Sequence, residues 1–237
     1  MSTPILAVEA LAVRLGGSPV LDDTTFAVEE GGTTALLGRN GAGKTTTLRA
    51  ILGLIPHRGH VRLDGEDVSA LPAHAVVQRH VGYVPENRDV FAGLTVAENL
   101  RLAERAVRPR YDLVYELFPD LEPRGAQRAG TLSGGQQQML AIARALLNPN
   151  RILLIDEPTK GLAPAVVARV VDVLARIGRD VTILLVEQNL AAARRLAERA
   201  IVLDHGGVAY AGPLGPFLAD RRRAHRHLGV ALQAPPS

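Results

Sequence analysis

The chain has 237 residues, 47% of them hydrophobic, and a formal net charge of +3. A chain of this length can bury a sizeable core, and its lack of cysteine excludes disulfides, thiolate catalysis and cysteine-bound zinc. No stretch approaches the roughly 18 apolar residues that a spanning helix requires, so we expect a chain that does not cross a membrane. The positive balance comes from Arg221, Arg222, Arg223 and Arg226. The rest is nearly neutral and lacks the basic face that nucleic-acid binding uses.

The first quarter of the chain predicts strands followed by a helix. Residues 5–15 and 20–28 alternate loosely between apolar and polar around a Gly-Gly-Ser-Pro turn, which indicates two antiparallel strands. Residues 33–37 are a short apolar run that stops at a glycine, and 44–54 favours a helix. This order predicts a strand, a glycine loop and a helix.

The middle of the chain has a helical pattern. It follows two further predicted strands at 61–63 and 81–84. Leu100, Ala103 and Val107 recur at helical spacing, and prolines interrupt the pattern. We therefore predict a small helical subdomain, residues 87–131, inserted in an α/β body.

The last hundred residues alternate between helices and strands. The predicted helices and strands are 135–147, 152–155, 164–177, 181–186, 190–199, 201–203 and 208–210. Two of these strands are apolar on both faces, as in parallel sheets covered by helices. The prediction is an α/β fold with a mainly parallel sheet in one domain, residues 1–237, ending in a basic helix end and tail at 220–237.

A phosphate-binding motif, G-x-x-x-x-G-K-[ST], lies between the predicted strand and helix near residue 40. Its glycines let successive backbone N–H groups turn towards a phosphate, and the helix N-terminus adds partial positive charge. Lys44 is expected to bridge terminal phosphates, and the Thr45 hydroxyl to bind Mg²⁺. The residues assigned to this loop are Gly38, Arg39, Asn40, Gly41, Ala42, Gly43, Lys44, Thr45 and Thr46.

Two adjacent carboxylates, Asp156 and Glu157, end the buried strand at 152–155. Successive strand residues point to opposite sides, so one carboxylate can hold a metal while its neighbour faces water. Beside a phosphate loop, this pattern predicts Asp156 as a magnesium ligand and Glu157 as the general base or the residue that orients the attacking water.

A third motif, Leu-Ser-Gly-Gly-Gln, immediately precedes a predicted helix. Ser133 can cap that helix, and the same geometry offers a hydroxyl, N–H groups and the helix dipole to an anion. We predict a second phosphate site here, formed by Ser133, Gly134, Gly135 and Gln136.

In this order and spacing, the three motifs resemble the ATP-binding subunit of an ABC transporter, over nearly the whole chain. Within that family, several segments resemble the smaller ATPase of branched-chain amino-acid importers. These segments are Val84–Phe91, Gln137–Ile142, Gly161–Pro164, Leu185–Asn189 and His227–Gly229.

The resemblance implies a P-loop NTPase core, with an N-terminal antiparallel β subdomain, that hydrolyses ATP with Mg²⁺. It implies two ATP-binding subunits placed head to tail, as a homodimer or with a paralogue, each ATP lying between the phosphate loop of one and Ser133–Gln136 of the other. Closure and opening of this dimer at the cytoplasmic face of the membrane would drive the conformational change of transmembrane permease subunits. A solute-binding protein would be an indirect partner. It implies no role for nucleic acid.

Four positions depart from the general family pattern, although the importer subgroup tolerates them. Leu15, or Arg14, stands where an aromatic ring usually stacks on adenine. Glu86 replaces a glutamine that usually joins the magnesium shell. Gln188 replaces a histidine that contacts the terminal phosphate, which assigns it a catalytic role. Ala163 replaces an interface aspartate.

Two alternatives stay open at this point. The departures also fit an ATP-dependent dimerisation switch with little hydrolysis, and a urea or short-amide importer is an alternative to an amino-acid importer. ABC ATPases of DNA repair or translation do not fit, because they need long coiled-coil insertions or a second cassette.

Overall fold

The computed structural model describes residues 4–229. The strands are β1 (Leu6–Leu15), β2 (Ser18–Val28), β3 (Thr33–Gly38), β4 (Arg58–Leu63), β5 (Glu66–Asp67), β6 (Val81–Val84), β7 (Ile152–Asp156), β8 (Thr182–Val186), β9 (Arg199–Asp204) and β10 (Gly207–Pro213). The helices are α1 (Lys44–Ile51), α2 (Ala73–Val77), α3 (Val96–Arg101), α4 (Tyr111–Leu117), α5 (Gly134–Leu146), α6 (Pro164–Ile177), α7 (Leu190–Leu196), α8 (Leu214–Ala219) and α9 (Arg221–Leu228), with a 3₁₀ turn at Ala129–Thr131.

In this part of the chain the strands form two sheets. The antiparallel sheet has the order β2-β1-β4-β5. The larger sheet has the order β10-β9-β3-β8-β7-β6, and its strands are parallel except for β10 at the edge. The predicted α/β class, with a mainly parallel sheet and an N-terminal antiparallel part, is confirmed.

Strand β7 packs against a hydrophobic core on each of its two faces. Ile152 and Leu154 belong to the core that includes α1 and the antiparallel sheet, whereas Leu153 and Ile155 belong to the core that includes α5 and α6. All four are at most 1% exposed, and burial of such a side chain contributes about 1.5–3 kcal/mol. The two cores hold the strand ends, and therefore the site, in place.

Two predicted helices are shorter than expected. The helix predicted at 44–54 ends at Ile51, and Gly53 follows with φ +66°, where a Cβ would lie 2.6 Å from the Leu71 carbonyl oxygen. The helix predicted at 190–199 ends at Leu196, because Arg199 already pairs with β3. Helices α2 and α8 and strand β5 have no counterpart in the sequence prediction.

The segment between β6 and α5 contains the short helices α3 and α4, in the stretch that prolines interrupt. Thr95 and Glu98 form a reciprocal capping box at the start of α3. The buried Asn99 accepts a hydrogen bond from the backbone of Phe91 and donates one back to it, at 2.9 and 3.0 Å. The loop that leads into this segment is therefore fixed to its first helix.

The C-terminal arginines lie on α9, which the Asp220 side chain caps by accepting from Arg223 N. Residues 230–237 of the predicted tail lie outside the described residues, and the domain limits 1 and 237 stay a prediction. None of the helices in the described range is long and apolar enough to cross a bilayer.

Candidate active site

The candidate site lies at the carboxyl ends of the parallel strands. Leu36 of β3 and Asp156 of β7 both pair with Val186 of β8. The residues that directly follow these strands therefore meet at one edge of the sheet. This edge holds the phosphate loop, the two adjacent carboxylates and Gln188.

The phosphate loop has a backbone that requires glycine at two points. Gly38 has φ +149° and Gly43 has φ +99°, and a Cβ at these positions would lie 2.5 Å from Leu203 O and 2.4 Å from Leu21 Cδ2. A Cβ at Gly41 would meet nothing within 4 Å, so the loop is open on that side. This shape would let the backbone N–H groups of the loop approach a bound phosphate closely.

Lys44, at the first position of α1, is 5% exposed. Its Nζ donates to the carbonyl oxygens of Gly38 and Arg39 at 3.0 and 3.1 Å. Burial lowers the pKa of Lys44, against the opposing effect of nearby carboxylates such as Glu157 and Asp156. The ammonium is held inside the loop, where it can meet a phosphate.

Thr45 and Asp156 form the most direct candidate for a metal site. Thr45 Oγ1 donates to Asp156 Oδ1 at 3.2 Å, while the buried Oδ2 of Asp156 has no hydrogen-bond partner among residues 4–229. Burial raises the pKa of Asp156 to about 6, although the bond from Thr45 acts in the opposite direction. An unpartnered carboxylate oxygen next to a hydroxyl fits Mg²⁺, which takes one or two protein oxygens and completes its shell with phosphates and water.

Glu157 is held in an uncommon conformation. Its φ is +46°, a region that costs a side-chain-bearing residue free energy and occurs often at active sites. Its side chain is buried, and its Oε1 accepts a hydrogen bond from Gln188 Nε2. The structure thus brings together the two residues that the sequence analysis assigned to catalysis.

Glu187 and Lys160 belong to the same edge, and the sequence prediction assigned neither to the site. Glu187 is 3% exposed, accepts from Thr159 Oγ1 at 2.8 Å, and has a pKa raised by burial. Its signal in the sequence was a carboxylate directly after an apolar strand, as at Asp156. Lys160 is one of only two lysines in the chain, and the other is Lys44.

Glu86, the third residue assigned to the metal, pairs with Lys160. Its Oε1 lies 2.5 Å from Lys160 Nζ. It follows β6, the strand adjacent to β7, so it is at the correct edge for the predicted role. Its place in a magnesium shell stays a prediction.

Ser133 caps α5, as predicted. Its Oγ accepts from Gln136 N at 3.3 Å, and its backbone N donates to Gln136 Oε1 at 2.9 Å. Among residues 4–229, no hydrogen bond joins Ser133–Gln136 to the phosphate loop. The turn at Ser133–Gln136 is therefore built from local contacts and is exposed at its serine. A phosphate site there stays a prediction.

Leu15 lies at the end of β1, is 46% exposed, and pairs with Ser18. An exposed apolar side chain offers contact area to a base without ring stacking. Its role as an adenine contact stays a prediction.

Taken with the strand–loop–helix geometry, these features define a P-loop nucleotide hydrolase. The family model described as ABC transporter matches residues 21–160, which is more than half of the chain. The chain therefore belongs to the ABC transporter ATP-binding family, whose members bind and hydrolyse ATP.

Known relatives match along nearly the full length. The high-affinity branched-chain amino acid transport ATP-binding protein BraG of Pseudomonas aeruginosa is 38% identical, over 95% of this chain and 100% of its own. The probable branched-chain amino acid transport ATP-binding protein LivF of Archaeoglobus fulgidus is 36% identical, over 89% and 93%. A solved ATP-binding subunit of an ABC transporter superimposes with a TM-score of 0.81 at 29% identity, over 95% of this chain and 96% of that one.

Proposed function

We propose that this ATPase powers a membrane importer for branched-chain or other hydrophobic amino acids. The observation that carries the hydrolytic part is the pair of half-buried Thr45 and buried Asp156 beside Lys44, in which Asp156 Oδ2 has no hydrogen-bond partner within residues 4–229. The transported substrate is inferred from the similarity to BraG and LivF.

In this proposal each residue has a defined task. Lys44 binds the terminal phosphates, and Thr45 and Asp156 hold Mg²⁺, which neutralises phosphate charge when bound. Glu157 accepts the proton of the attacking water, and Gln188 keeps the Glu157 carboxylate in position. Glu86 lies at the same sheet edge, on the side where Mg²⁺ would bind.

The subunit acts as a pair in this proposal. Ser133 Oγ accepts its capping bond from Gln136 N, which leaves the hydroxyl hydrogen free to donate to a phosphate oxygen. Ser133 is exposed, and the phosphate loop lies in another part of the same chain. A second copy or a paralogue would therefore bring its own Ser133–Gln136 segment to the nucleotide. ATP would then hold the two subunits together, and its hydrolysis would release them.

A groove beside the site is our candidate for the permease contact. It has a volume of about 450 Å³ and lies between the sheet edge and the helical segment, with Leu54, Tyr83, Leu102, Arg105 and Arg144 in its lining. Pro85 and Arg88, which flank Glu86, also line it. A helix of the permease in this groove would contact the loop that bears Glu86, from the cytoplasmic face of the membrane.

The cysteine-free chain allows a direct test of this contact. Leu102, which is 61% exposed, is replaced by cysteine and crosslinked in native membranes. The control is His205→Cys, at a side chain that is 92% exposed in the turn between β9 and β10. We expect the permease to be captured from position 102 only. Capture from position 205 alone would contradict the assignment of the groove.

The substrate is tested through the proteins that co-purify. The solute-binding protein that belongs to the captured permease is titrated with leucine, isoleucine and valine, and separately with urea and acetamide. Binding of the apolar amino acids supports the proposal. Binding of urea or acetamide alone would replace it with a short-amide importer.

A further inference from the structure

Lys160 makes contact with two carboxylates that come from different strands. Its Nζ lies 2.5 Å from Glu86 Oε1 and 3.4 Å from Glu157 Oε2. The chain has only one other lysine, Lys44, which is buried in the phosphate loop and donates to backbone carbonyls there. Lys160 is therefore the lysine that contacts Glu86.

The backbone explains how this contact forms. Glu157 O accepts from Lys160 N at 3.1 Å, so residues 157–160 form a turn that brings the lysine side chain back over the glutamate. Val84 of β6 pairs with Ile155 of β7, and two residues further along, Glu86 and Glu157 leave the same sheet edge. The contact thus follows from strand register and one tight turn.

Carboxylates outnumber the two lysines, Lys44 and Lys160, at this edge of the sheet. Glu86, Asp156, Glu157 and Glu187 contribute four carboxylates, and an anionic nucleotide would add more negative charge. These carboxylates repel an incoming phosphate. An ammonium between Glu86 and Glu157 reduces this repulsion.

Resting on the proposed ATP hydrolysis, we infer that Lys160 is a positioning residue for that reaction. Its ammonium holds Oε2 of Glu157 while Gln188 holds Oε1, so the carboxylate is fixed from both sides. It also offsets the negative charge of Glu86, which lies on the side of the site where Mg²⁺ would bind. The Lys160 side chain is 58% exposed, and exposed ion pairs contribute little to folding, so its loss affects turnover rather than stability.

The test is a double-mutant cycle with Lys160→Met and Glu86→Gln. We expect Lys160→Met to lower kcat about tenfold with a much smaller change in KM, and to leave the melting temperature unchanged. In the Glu86→Gln background the same replacement should lower kcat less, by about threefold, because the charge of Glu86 is already gone and only the contact to Glu157 is lost. Lys160→Arg, which keeps the charge, should retain most of the parent turnover.

Two results would overturn the inference. One is a kcat within twofold of the parent after Lys160→Met, and the other is an equal loss in both backgrounds. An inactive parent protein would instead refute the proposed hydrolysis, so the two failures are distinguishable.

A second measurement is independent of turnover. Zero-length carbodiimide crosslinking of the nucleotide-free protein, followed by peptide mapping, should join Lys160 to Glu86 or Glu157. This crosslinking result can be obtained even if Glu86→Gln abolishes ATPase activity. A Lys160 side chain that forms no crosslink, while other ion pairs in the same sample do, would refute the contact on which the inference depends.

Discussion

Gln188 Nε2 donates a hydrogen bond to Glu157 Oε1, and thereby joins the second residue after β8 to the first residue after β7. The family resemblance predicts that Gln188 contacts the terminal phosphate. In this structure its amide is used to hold the glutamate. Gln188 therefore acts through Glu157 in our account.

Gln188→Ala is expected to lower ATP turnover about tenfold or more, because the carboxylate would lose one of its two supports. ATP affinity should change far less. Gln188→His should keep activity and show a stronger pH dependence near neutrality than the parent, since an imidazole titrates there and an amide does not. The measurement is ATPase rate against pH, with ATP affinity determined for each protein. An alanine variant with the parent rate would show that Gln188 is only a structural loop residue.

Asp156→Asn is expected to stabilise the nucleotide-free protein at neutral pH. The folded-state pKa of Asp156 is raised from 3.8 to about 6, so folding favours its protonated form. The parent accordingly loses stability as the pH rises from about 3.8 to about 6, and the asparagine variant does not. We expect a melting temperature about 2–4 °C higher than the parent at pH 7.5, with no difference near pH 4.

The same variant should gain no stability from MgATP, because the oxygen that would bind the metal is replaced by an amide. Calorimetric melting with and without MgATP measures both effects. A variant that is less stable than the parent at pH 7.5, or that responds to MgATP as the parent does, would contradict the role of Asp156.

Lys44→Ala is expected to abolish measurable MgATP binding, since the loop then offers only neutral N–H groups to the phosphates. Lys44→Arg should fail as well, because the buried space between Gly38, Arg39 and the helix start encloses a compact ammonium and not a planar fork. The matched control is Arg49→Ala, at an exposed cation one turn further along α1, which should bind normally. Isothermal titration with MgATP decides the outcome. Unchanged affinity in both Lys44 variants would refute the phosphate-loop assignment.

Ser133→Arg is expected to prevent ATP-dependent dimerisation without weakening nucleotide binding to one subunit. Ser133 and the phosphate loop share no hydrogen bond within residues 4–229, so a bulky cation at the serine blocks only the second chain. Light scattering with MgATP, in a Glu157→Gln background that prevents hydrolysis, gives the mass. Parallel loss of ATP affinity would show that Ser133 serves its own subunit instead.

The sequence predicted those parts of the fold and site that depend on local pattern. The phosphate loop, the two carboxylates at the end of β7 and the serine cap of α5 each occupy a few consecutive residues, and their backbone conformations depend on local sequence. The Lys160–Glu86 contact spans 74 positions and depends on the pairing of β6 with β7, which local pattern does not fix. The burial of Glu187 depends on the neighbouring strands in the same way. The short helices α2 and α8 offered too few residues for a helical period to show.

The measurement closest to the central claim is ATP turnover by Glu157→Gln, determined together with bound ATP in the same samples. If Glu157 accepts the proton of the attacking water at a site made by Lys44, Thr45 and Asp156, the variant should bind MgATP within about threefold of the parent. Its turnover should fall about 100-fold or more. Turnover near the parent rate, or loss of ATP binding together with turnover, would contradict this account of the site.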